Sequence, residues 1–428
     1  METNQIKKSN NVPAIVVMFF LFAMISFVTG FQNPFGVILK EQLTLSNLQS
    51  QLGNAANFIA YAFMGIPAGL ILQKKGYRFS ALAAVLVGMA GVALMFLSSS
   101  IESGVFVVYL IGAFVAGFSM CMLNTVVNPM LNTLGGGGKT GNQLLQFGGA
   151  TNSLAATICP VLVGYLMGSN LQGVTLVQAR PALYVAFGIF ALAFVVLFLS
   201  KLPEPILEEN KKNGKEEKIS LGGAFKFQHY VLGVIAIFLY VGIEVGIPNM
   251  ANLYMTNELG ISAAIAGSLV GMYWFLMLIG RLTGGALGSK ISSKVMLTSV
   301  SAVAIIFLLA AIFTPDTVKV SVPGISSTLS FTTVEAPLSV LFFILCGLCT
   351  SVMWGGIFNL AVEGLGKYTA VASGIFMVMV CGGGILPMIQ GFVADLSGYI
   401  ASYWVPVLAL GYLLFYALVG SKVYKREE

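Results

Sequence analysis

Residues 69–78 read GLILQKKGYR, and residues 285–294, 216 positions later, read GALGSKISSK. Each stretch follows a continuously apolar segment, begins with a glycine and ends with a basic residue. The same shift of 216 residues places LTLSN (43–47) over LGISA (259–263). A parallel repeat of this length predicts two similar halves related by an axis along the membrane normal, with a central cavity between them.

The composition predicts that most of the surface faces lipid. Of 428 residues, 57% are hydrophobic and 9% are charged, whereas a soluble domain carries about 25% charged residues. Within each apolar segment, apolar and polar residues do not alternate, which excludes a barrel as the main architecture. The predicted fold class is therefore an all-α membrane protein with twelve transmembrane helices in two pseudo-twofold-related six-helix bundles. The predicted spans are 13–39, 50–73, 79–99, 104–131, 143–168, 180–200, 229–256, 261–288, 294–314, 336–362, 369–394 and 401–421.

The distribution of positive charge predicts the orientation. With the N-terminus inside, three of the 22 Lys and Arg residues fall in outer segments, namely Lys40, Arg180 and Lys319, and the other nineteen fall in inner segments. This bias obeys the positive-inside rule. We predict a multi-pass protein of the inner (cytoplasmic) membrane with both termini cytoplasmic and no cleavable signal peptide. Topology accounts for the net charge of +6, so no nucleic-acid partner is expected.

Two of the connectors between the predicted spans are long. Residues 201–228 are rich in charge and predict a cytoplasmic linker, flexible in its middle. The predicted domains are an N-terminal bundle (1–200), this linker, and a C-terminal bundle (229–428). A second connector, 315–335, is rich in Thr, Val and Ser around Pro323 and predicts a small external hairpin.

Neutral polar side chains recur inside the spans of the first half. Amides are costly in hydrocarbon unless they face a partner or water, and hydrogen bonding between helices explains many of them. As a set, they suit an uncharged, polyhydroxylated ligand, because each hydroxyl both donates and accepts. We place no Lys or Arg mid-span, which disfavours an anionic ligand. The predicted ligand-binding residues in this half are Gln32, Asn33, Asn57, Tyr61, Asn124, Asn128, Gln146 and Asn152.

The second half contributes aromatic residues to the predicted binding site. Tyr273 and Trp354 are candidates for stacking on an apolar C–H face of such a ligand, and Asn249 and Asn359 are the accompanying amides. The alternative for each ring is packing, or a lipid-facing position near the membrane interface.

Glu244, in YVGIEVGIPN (240–249), is the one acidic residue of sixteen that lies deep inside a predicted span. An ionisable residue in this position indicates function. It could carry a coupling proton, hold Na⁺ with nearby oxygens, bond a ligand hydroxyl, or serve only as a structural carboxyl. Apart from Na⁺ near Glu244, no metal and no cofactor is expected. No Walker loop, metal cluster or nucleophile–His pair occurs, so we do not expect an enzyme.

The loop after the second span resembles the Gly-x-x-x-Asp-Arg-x-Gly-Arg-Arg pattern of the major facilitator superfamily. Gln73 replaces the acid of that pattern and Tyr77 replaces the first residue of its final basic pair. The matching positions are Gly69, Lys74, Gly76 and Arg78. Further stretches are similar to the fucose:proton symporter family of bacterial fucose and glucose/galactose permeases. These are LTLSNLQ (43–49), IPAG (66–69), NTVVNP (124–129), YVG (240–242), IGRLTG (279–284) and CGGGILP (381–387).

The resemblance implies a monomeric secondary transporter that moves a neutral hexose or deoxyhexose across a bacterial inner membrane by alternating access. It also implies a cytoplasmic gate, with Lys74, Arg78 and Arg281 as the gate residues here. Proton-coupled fucose permeases carry acids on spans one and four, where this chain has Asn33 and Asn124. We therefore predict coupling to H⁺ or Na⁺ through Glu244. The alternative is a facilitative sugar uniporter, or an exporter of another small neutral solute, without ion coupling.

Overall fold

The structure is a computed structural model that describes residues 12–45, 47–167, 175–212, 221–261, 263–325 and 331–423. Within these ranges the backbone is almost entirely helical, because a helix satisfies its main-chain hydrogen bonds internally where no water is available. The helices before the linker are α1 (Val12–Gln42), α2 (Asn47–Ser98), α3 (Val105–Leu134), α4 (Gly138–Met167), α5 (Arg180–Leu199) and the short α6 (Pro205–Lys212).

The second part of the chain has nine helices and one hairpin in its described residues. The helices are α7 (Gln228–Leu253), α8 (Ala263–Gly288), α9 (Ser293–Phe313), α10 (Leu338–Thr350), α11 (Met353–Val362), α12 (Thr369–Val378), α13 (Gly382–Ser397), α14 (Tyr399–Ser402) and α15 (Trp404–Phe415). The strands are β1 (Lys319–Ile325) and β2 (Phe331–Pro337).

The predicted twelve-span fold is confirmed. Nine helices in the described ranges are long and apolar enough to cross a membrane. The longest of them, Ala55–Ser98, has 44 residues and measures about 66 Å, which is twice the thickness of the hydrocarbon layer. Gly76, with φ +79° and ψ −178°, breaks it into two passes. The nine helices therefore make ten passes. The helices α1 and α4, of 31 and 30 residues, bring the number of passes to twelve.

Three of the later passes are interrupted. The tenth pass breaks at Ser351 and Val352, between α10 and α11. The eleventh contains a 3₁₀ turn at Met379–Cys381, between α12 and α13. The twelfth turns at Tyr403, between α14 and α15. Such interruptions leave main-chain carbonyls without a helical partner, and these carbonyls become available to side chains.

The chain forms two compact units. The first comprises Met1–Lys226 with Gly364–Val378, and the second comprises Phe227–Glu363 with Met379–Glu428. In the first unit α2 packs along α3, α1 along α4, and α12 on α2. In the second, α7 packs on α13 and α11, and α10 packs on α8 and α9. The packing therefore groups α12 with the first unit, although it follows most of the second unit in the chain.

Three glycines allow α2 and α12 to meet backbone to backbone. A Cβ atom added to Gly374 would lie 2.5 Å from the carbonyl oxygen of Gly65 and 2.7 Å from the Cα atom of Gly69. Membrane helices use small residues in this way because close approach increases their van der Waals contact.

Both long connectors contain ordered structure. β1 and β2 pair antiparallel, with Lys319 opposite Pro337, so the predicted hairpin in the 315–335 connector is confirmed. The linker contributes α6 and a 3₁₀ turn at Leu221–Lys226. Its predicted flexible middle falls within 213–220, which lies outside the described residues.

Candidate functional site

A chain of side-chain hydrogen bonds joins α2 and α3 in the first unit. The Nδ2 atom of Asn124 donates to the Tyr61 hydroxyl at 2.9 Å. One turn further along α3, the Nδ2 atom of Asn128 donates to the main-chain oxygen of Asn124 at 2.8 Å and lies 3.3 Å from its Oδ1. All three side chains are buried. These three predicted ligand-binding residues are therefore joined in one polar network.

Asn57 lies one turn before Tyr61 on the same face of α2. Its residue is 1% exposed, and within the described part of the chain neither Nδ2 nor Oδ1 has a hydrogen-bond partner. Gly117 of α3 packs directly on the main chain of Asn57, which holds the two helices together here. A buried amide without partners costs free energy. It therefore indicates a place where a ligand supplies the missing bonds.

The helix α4 adds a second pair of amides. The Nε2 atom of Gln146 lies 3.3 Å from the Oδ1 of Asn142, and both residues are buried. Sequence analysis missed Asn142, although it lies four residues before Gln146 and therefore on the same helix face.

Two predicted binding amides are engaged elsewhere. The Nδ2 atom of Asn152 donates to the main-chain oxygen of Phe22 at 3.0 Å and ties α4 to α1. The Nδ2 atom of Asn359 donates to the hydroxyl of Ser293 at 2.9 Å and ties α11 to α9. These bonds link neighbouring helices, and ligand binding by either residue stays a prediction.

The remaining predicted amides are Asn249, Gln32 and Asn33. Asn249 is exposed at the end of α7. The side chains of Gln32 and Asn33 lie outside the described part of the structure.

In the second unit, Glu244 of α7 forms an ion pair with Arg281 of α8. The distance from Arg281 Nη2 to Glu244 Oε1 is 3.0 Å, and the two side chains are 9% and 15% exposed, respectively. Arg281 lies seven residues before the end of the candidate span Ile265–Gly288, and its guanidinium reaches the carboxylate of Glu244. Sequence analysis counted Arg281 with the cytoplasmic end of its helix. Because the pair is electrically neutral, it does not by itself favour an anionic ligand.

Residues of α8 and the α10–α11 break surround this pair. The Tyr273 hydroxyl lies 2.9 Å from the Thr350 hydroxyl and 3.3 Å from the main-chain oxygen of Glu244. The Nε atom of Arg281 lies 3.3 Å from the main-chain oxygen of Ser351. Tyr273 therefore contributes a hydroxyl to the cluster, whereas the sequence predicted a stacking ring.

Trp354 stands at the start of α11, directly after the break. Its ring lies 6.2 Å from that of Tyr240, with an angle of 59° between the planes. Tyr240 precedes Glu244 by one turn of α7, and Trp354 is half-buried. The predicted stacking residue thus lies close to the turn of α7 that carries the ion pair.

At the end of the first unit that is predicted to be cytoplasmic, Glu204 caps a helix. Its carboxylate accepts hydrogen bonds from the main-chain N–H groups of Tyr77 (2.7 Å) and Arg78 (2.8 Å). These groups begin the pass that follows the break at Gly76, where main-chain donors lack helical partners. Glu204 thus supplies, from the linker, a carboxylate beside Arg78 in a chain whose Gln73 replaces the acid of the motif.

Arg78 and Lys74 are the two predicted gate residues in the loop after the second span, and their surroundings differ. The guanidinium of Arg78 donates to the main-chain oxygen of Phe198 and lies 5.9 Å from that ring. Lys74 is exposed. The role of Lys74, Arg78 and Arg281 in a gate stays a prediction.

Burial raises the pKa of the Glu204 carboxyl above its ordinary value of 4.5. The two main-chain N–H bonds and the charge of Arg78 lower it, while neighbouring Glu208 raises it further. The loss of hydration is the largest of these effects, because the carboxylate is wedged between α6 and the start of the third pass.

The comparisons with known proteins agree with this architecture. A glucose/galactose transporter of Brucella abortus (biovar 1, strain 9-941) is 30% identical over 413 residues, which cover 96% of this chain and 94% of that protein. An L-fucose-proton symporter of Escherichia coli K12 is 24% identical over 434 residues, covering 95% and 94%. A crystal structure of the transporter FucP in the outward conformation superposes with a TM-score of 0.75 at 21% identity, covering 94% of this chain and 98% of that one. Because the Major Facilitator Superfamily model also matches residues 18–388, this multi-pass membrane protein belongs to the Major Facilitator Superfamily.

Proposed function

We propose that this protein is a secondary active transporter of a neutral hexose or deoxyhexose, working by alternating access and coupled to H⁺ or Na⁺ through Glu244. The observation that carries the substrate class is the buried carboxamide of Asn57, which has no partner among the described residues, next to the Tyr61–Asn124–Asn128 network. The relatives described as a glucose/galactose transporter and an L-fucose-proton symporter support the same class.

The chemistry of the network suits a sugar. Asn57 offers two N–H donors and a carbonyl acceptor, and each hydroxyl of a monosaccharide both donates and accepts. Tyr61 and Asn124 already hold each other in position at 2.9 Å, which reduces the side-chain entropy lost when a ligand binds. We assign sugar binding to Asn57, Tyr61, Asn124, Asn128 and Gln146 of the first unit.

The membrane setting is part of the proposal. The 22 Lys and Arg residues are distributed asymmetrically about the spans, which supports a location in the bacterial inner membrane with both termini in the cytoplasm. We propose that the transporter acts as a monomer. Labelling of single cysteines placed at residues 8 and 317, with a reagent that does not cross membranes, tests the orientation: only position 317 is expected to react in intact cells.

The decisive experiment measures sugar binding by purified protein carrying Asn57→Leu, which preserves the approximate volume and removes the amide. Fucose, glucose, galactose and mannose are tested with and without Na⁺. We expect affinity for the recognised sugar to fall at least about tenfold, equivalent to about 1.4 kcal/mol. Thermal stability without sugar should stay equal or rise, because an unsatisfied polar group has been removed. Unchanged affinity would refute the assignment of Asn57.

The matched control is Asn257→Ala. This exposed amide donates to the Tyr399 hydroxyl at 2.9 Å in the second unit. We expect its loss to leave sugar affinity within the scatter of the wild-type measurement. If the wild-type protein binds none of the four sugars, the proposed substrate class is wrong.

One observation favours the alternative of a uniporter without ion coupling. The Glu244 charge is already neutralised by Arg281, as expected of a structural brace. Sugar uptake by proteoliposomes under an imposed pH or Na⁺ gradient separates the two functions. Accumulation above the external concentration requires coupling, whereas a uniporter stops at equal concentrations on both sides.

A further inference from the structure

One face of α7 carries three ionisable side chains in a line. His229, Gly233, Tyr240 and Glu244 are separated by four, seven and four residues, which places all of them on the same side of the helix. Glu244 lies deep in the span, whereas His229, the one histidine of the chain, lies at the start of the helix. The line therefore runs from the buried carboxylate to the end of α7 that is predicted to be cytoplasmic.

Helix α11 packs antiparallel along this face of α7. Near Glu244, the ring of Trp354 lies 6.2 Å from that of Tyr240. At the other end, the Nε2 atom of His229 lies 2.9 Å from the main-chain oxygen of Glu363. We call this contact between the two helices the α7–α11 seam.

Three polar atoms on the seam are fully buried and have no hydrogen-bond partner among the described residues. They are the Nδ1 atom of His229 and the hydroxyl oxygens of Tyr240 and Tyr416. Tyr416 reaches the seam from the turn after α15, where a Cβ atom on Gly233 would lie 2.7 Å from its hydroxyl oxygen. Buried polar groups without a protein partner bind internal water. Both ends of the seam therefore offer sites for water molecules.

The two ends lie next to groups that carry charge. At the deep end, the Tyr240 hydroxyl lies close to the carboxylate of Glu244. At the other end, the exposed carboxylate of Glu363 lies close to His229 and Tyr416. The C-terminal end of a helix favours a cation, so the position of His229 at the end of α11 suits an imidazolium.

The middle of the seam is apolar. Gly233 and Tyr240 are about 10 Å apart along the axis of α7. Ile237 of α7 and Ile357 of α11 lie in this interval, and both are fully buried. A hydrophobic constriction of this kind conducts only after water enters it. In the state seen here, the deep end is therefore separated from the predicted cytoplasmic end.

We infer that the α7–α11 seam is the release path of a coupling proton from Glu244 to the cytoplasm, with Tyr240, Tyr416 and His229 as its relay groups. The inference rests on the transport function proposed above and narrows its coupling ion to H⁺. When the middle of the seam hydrates, the protonated carboxyl of Glu244 gives its proton to water at Tyr240 and is left as a carboxylate. Each water molecule and hydroxyl then accepts one proton and passes another on. The Nδ1 atom of His229 takes the arriving proton and gives it to cytoplasmic water, so His229 ends neutral and one hydronium ion forms.

The composition of the seam suits a proton better than Na⁺. Hydroxyls and an imidazole pass a proton on without leaving their places, and chains of ionisable side chains form the proton relays of membrane transporters. A metal cation instead needs several oxygen ligands at each step, and the buried middle at Ile237 and Ile357 provides no side-chain oxygen.

The test compares two transport modes in proteoliposomes carrying His229→Gln. The amide nitrogen of glutamine can keep the bond to the Glu363 carbonyl but cannot take up a proton. Counterflow exchanges bound sugar without proton release, so it should persist. Sugar-driven proton entry, followed with a pH-sensitive dye, should slow at least about tenfold, because a positioned acid–base group has been removed.

A pair of tyrosine variants keeps the inference falsifiable if His229→Gln does not fold. Tyr416→Phe removes a relay hydroxyl and leaves the ring. Tyr412→Phe is the matched control, because the Tyr412 hydroxyl, one turn earlier, donates to the main-chain oxygen of Leu232 at 3.1 Å. We expect proton entry to slow in Tyr416→Phe and to stay unchanged in Tyr412→Phe. Equal slowing in both would overturn the relay.

The apolar middle can be tested separately. Ile237→Thr keeps a β-branched side chain and adds a hydroxyl to the dry part of the path. Without sugar, liposomes carrying this variant should lose an imposed pH gradient faster than those carrying the wild type. Equal leak rates would show that the path does not pass Ile237.

The outcomes separate this inference from the transport function. Wild-type proton entry in both His229→Gln and Tyr416→Phe would overturn the release path, and so would sugar accumulation that Na⁺ drives and a pH gradient does not. In those cases sugar transport would still stand. If wild-type protein shows neither counterflow nor accumulation, the transport function and this inference fall together.

Discussion

The carboxylate of Glu204 accepts a hydrogen bond from the main-chain N–H of Tyr77, 127 residues earlier in the chain, at 2.7 Å. The linker thereby supplies an acceptor for main-chain N–H groups at the start of the third pass. Gly76 separates this pass from the second one. This long-range cap restores a carboxylate next to Arg78 despite the glutamine at position 73.

Removal of this cap should destabilise the protein. Glu204→Ala deletes the acceptor of two main-chain donors, and loss of a helix N-cap costs about 1 kcal/mol. Glu204→Gln keeps one side-chain carbonyl oxygen and should retain part of that stability. Thermal unfolding of purified protein in detergent measures both. If the alanine and glutamine variants melt at the same temperature as the wild type, the cap is not a stabilising contact.

The same carboxyl should give a defined pH dependence. Burial raises the pKa of Glu204 above 4.5 in the folded protein, so the folded state binds this proton more tightly than the unfolded state. The contribution of Glu204 to stability is then fully present below pH 4.5 and is lost as the pH rises through the folded-state pKa. Relative to Glu204→Gln, wild-type protein should lose stability over that interval. Melting curves from pH 4 to pH 7.5 measure the difference; the opposite slope would contradict the stated direction.

The contact between α2 and α12 predicts a position that tolerates no side chain. Gly374→Ala places a Cβ atom 2.5 to 2.9 Å from backbone atoms of Gly65 and Gly69. Overpacking of this kind costs about 1–3 kcal/mol, and we expect a lower melting temperature. Gly188→Ala in α5 is the matched control, because a Cβ there meets nothing within 4 Å. Equal melting temperatures for the two variants would show that α2 and α12 are not closely packed in the protein.

In the polar network of the first unit, we expect the Tyr61 hydroxyl to contribute more to sugar binding than to the stability of the protein. Tyr61→Phe removes the acceptor of the Asn124 amide. We expect sugar affinity to fall about tenfold, with a loss of about 0.6 kcal/mol in stability, typical of a hydrogen bond between membrane helices. Isothermal titration and thermal unfolding measure these two effects.

Tyr412→Phe provides the comparison for this prediction. The Tyr412 hydroxyl donates to the main-chain oxygen of Leu232 at 3.1 Å, between α15 and α7. Its removal should cost similar stability and leave sugar affinity unchanged. If both tyrosine variants lose sugar affinity equally, the effect of Tyr61 comes from general loosening of the helices.

Sequence patterns predicted the architecture well because the membrane imposes local rules. Apolar runs of about 20 residues form spanning helices whatever their neighbours are, and the external hairpin followed from local strand signals. The site was less predictable. Asn57 and Asn152 looked alike as buried amides, yet Asn152 bonds the Phe22 carbonyl while Asn57 has no partner among the described residues.

The sequence alone established the helical membrane fold, and it predicted the two-half repeat and a role for Glu244 as a carboxylate deep in a span. Tertiary structure decided how its charge is balanced. Arg281 is 37 residues away in the chain, and only the packing of α7 beside α8 brings the two side chains to 3.0 Å. Likewise, Glu204 reaches Tyr77 only because α6 packs against α2. Composition and periodicity are properties of single helices, whereas partners are selected when helices assemble.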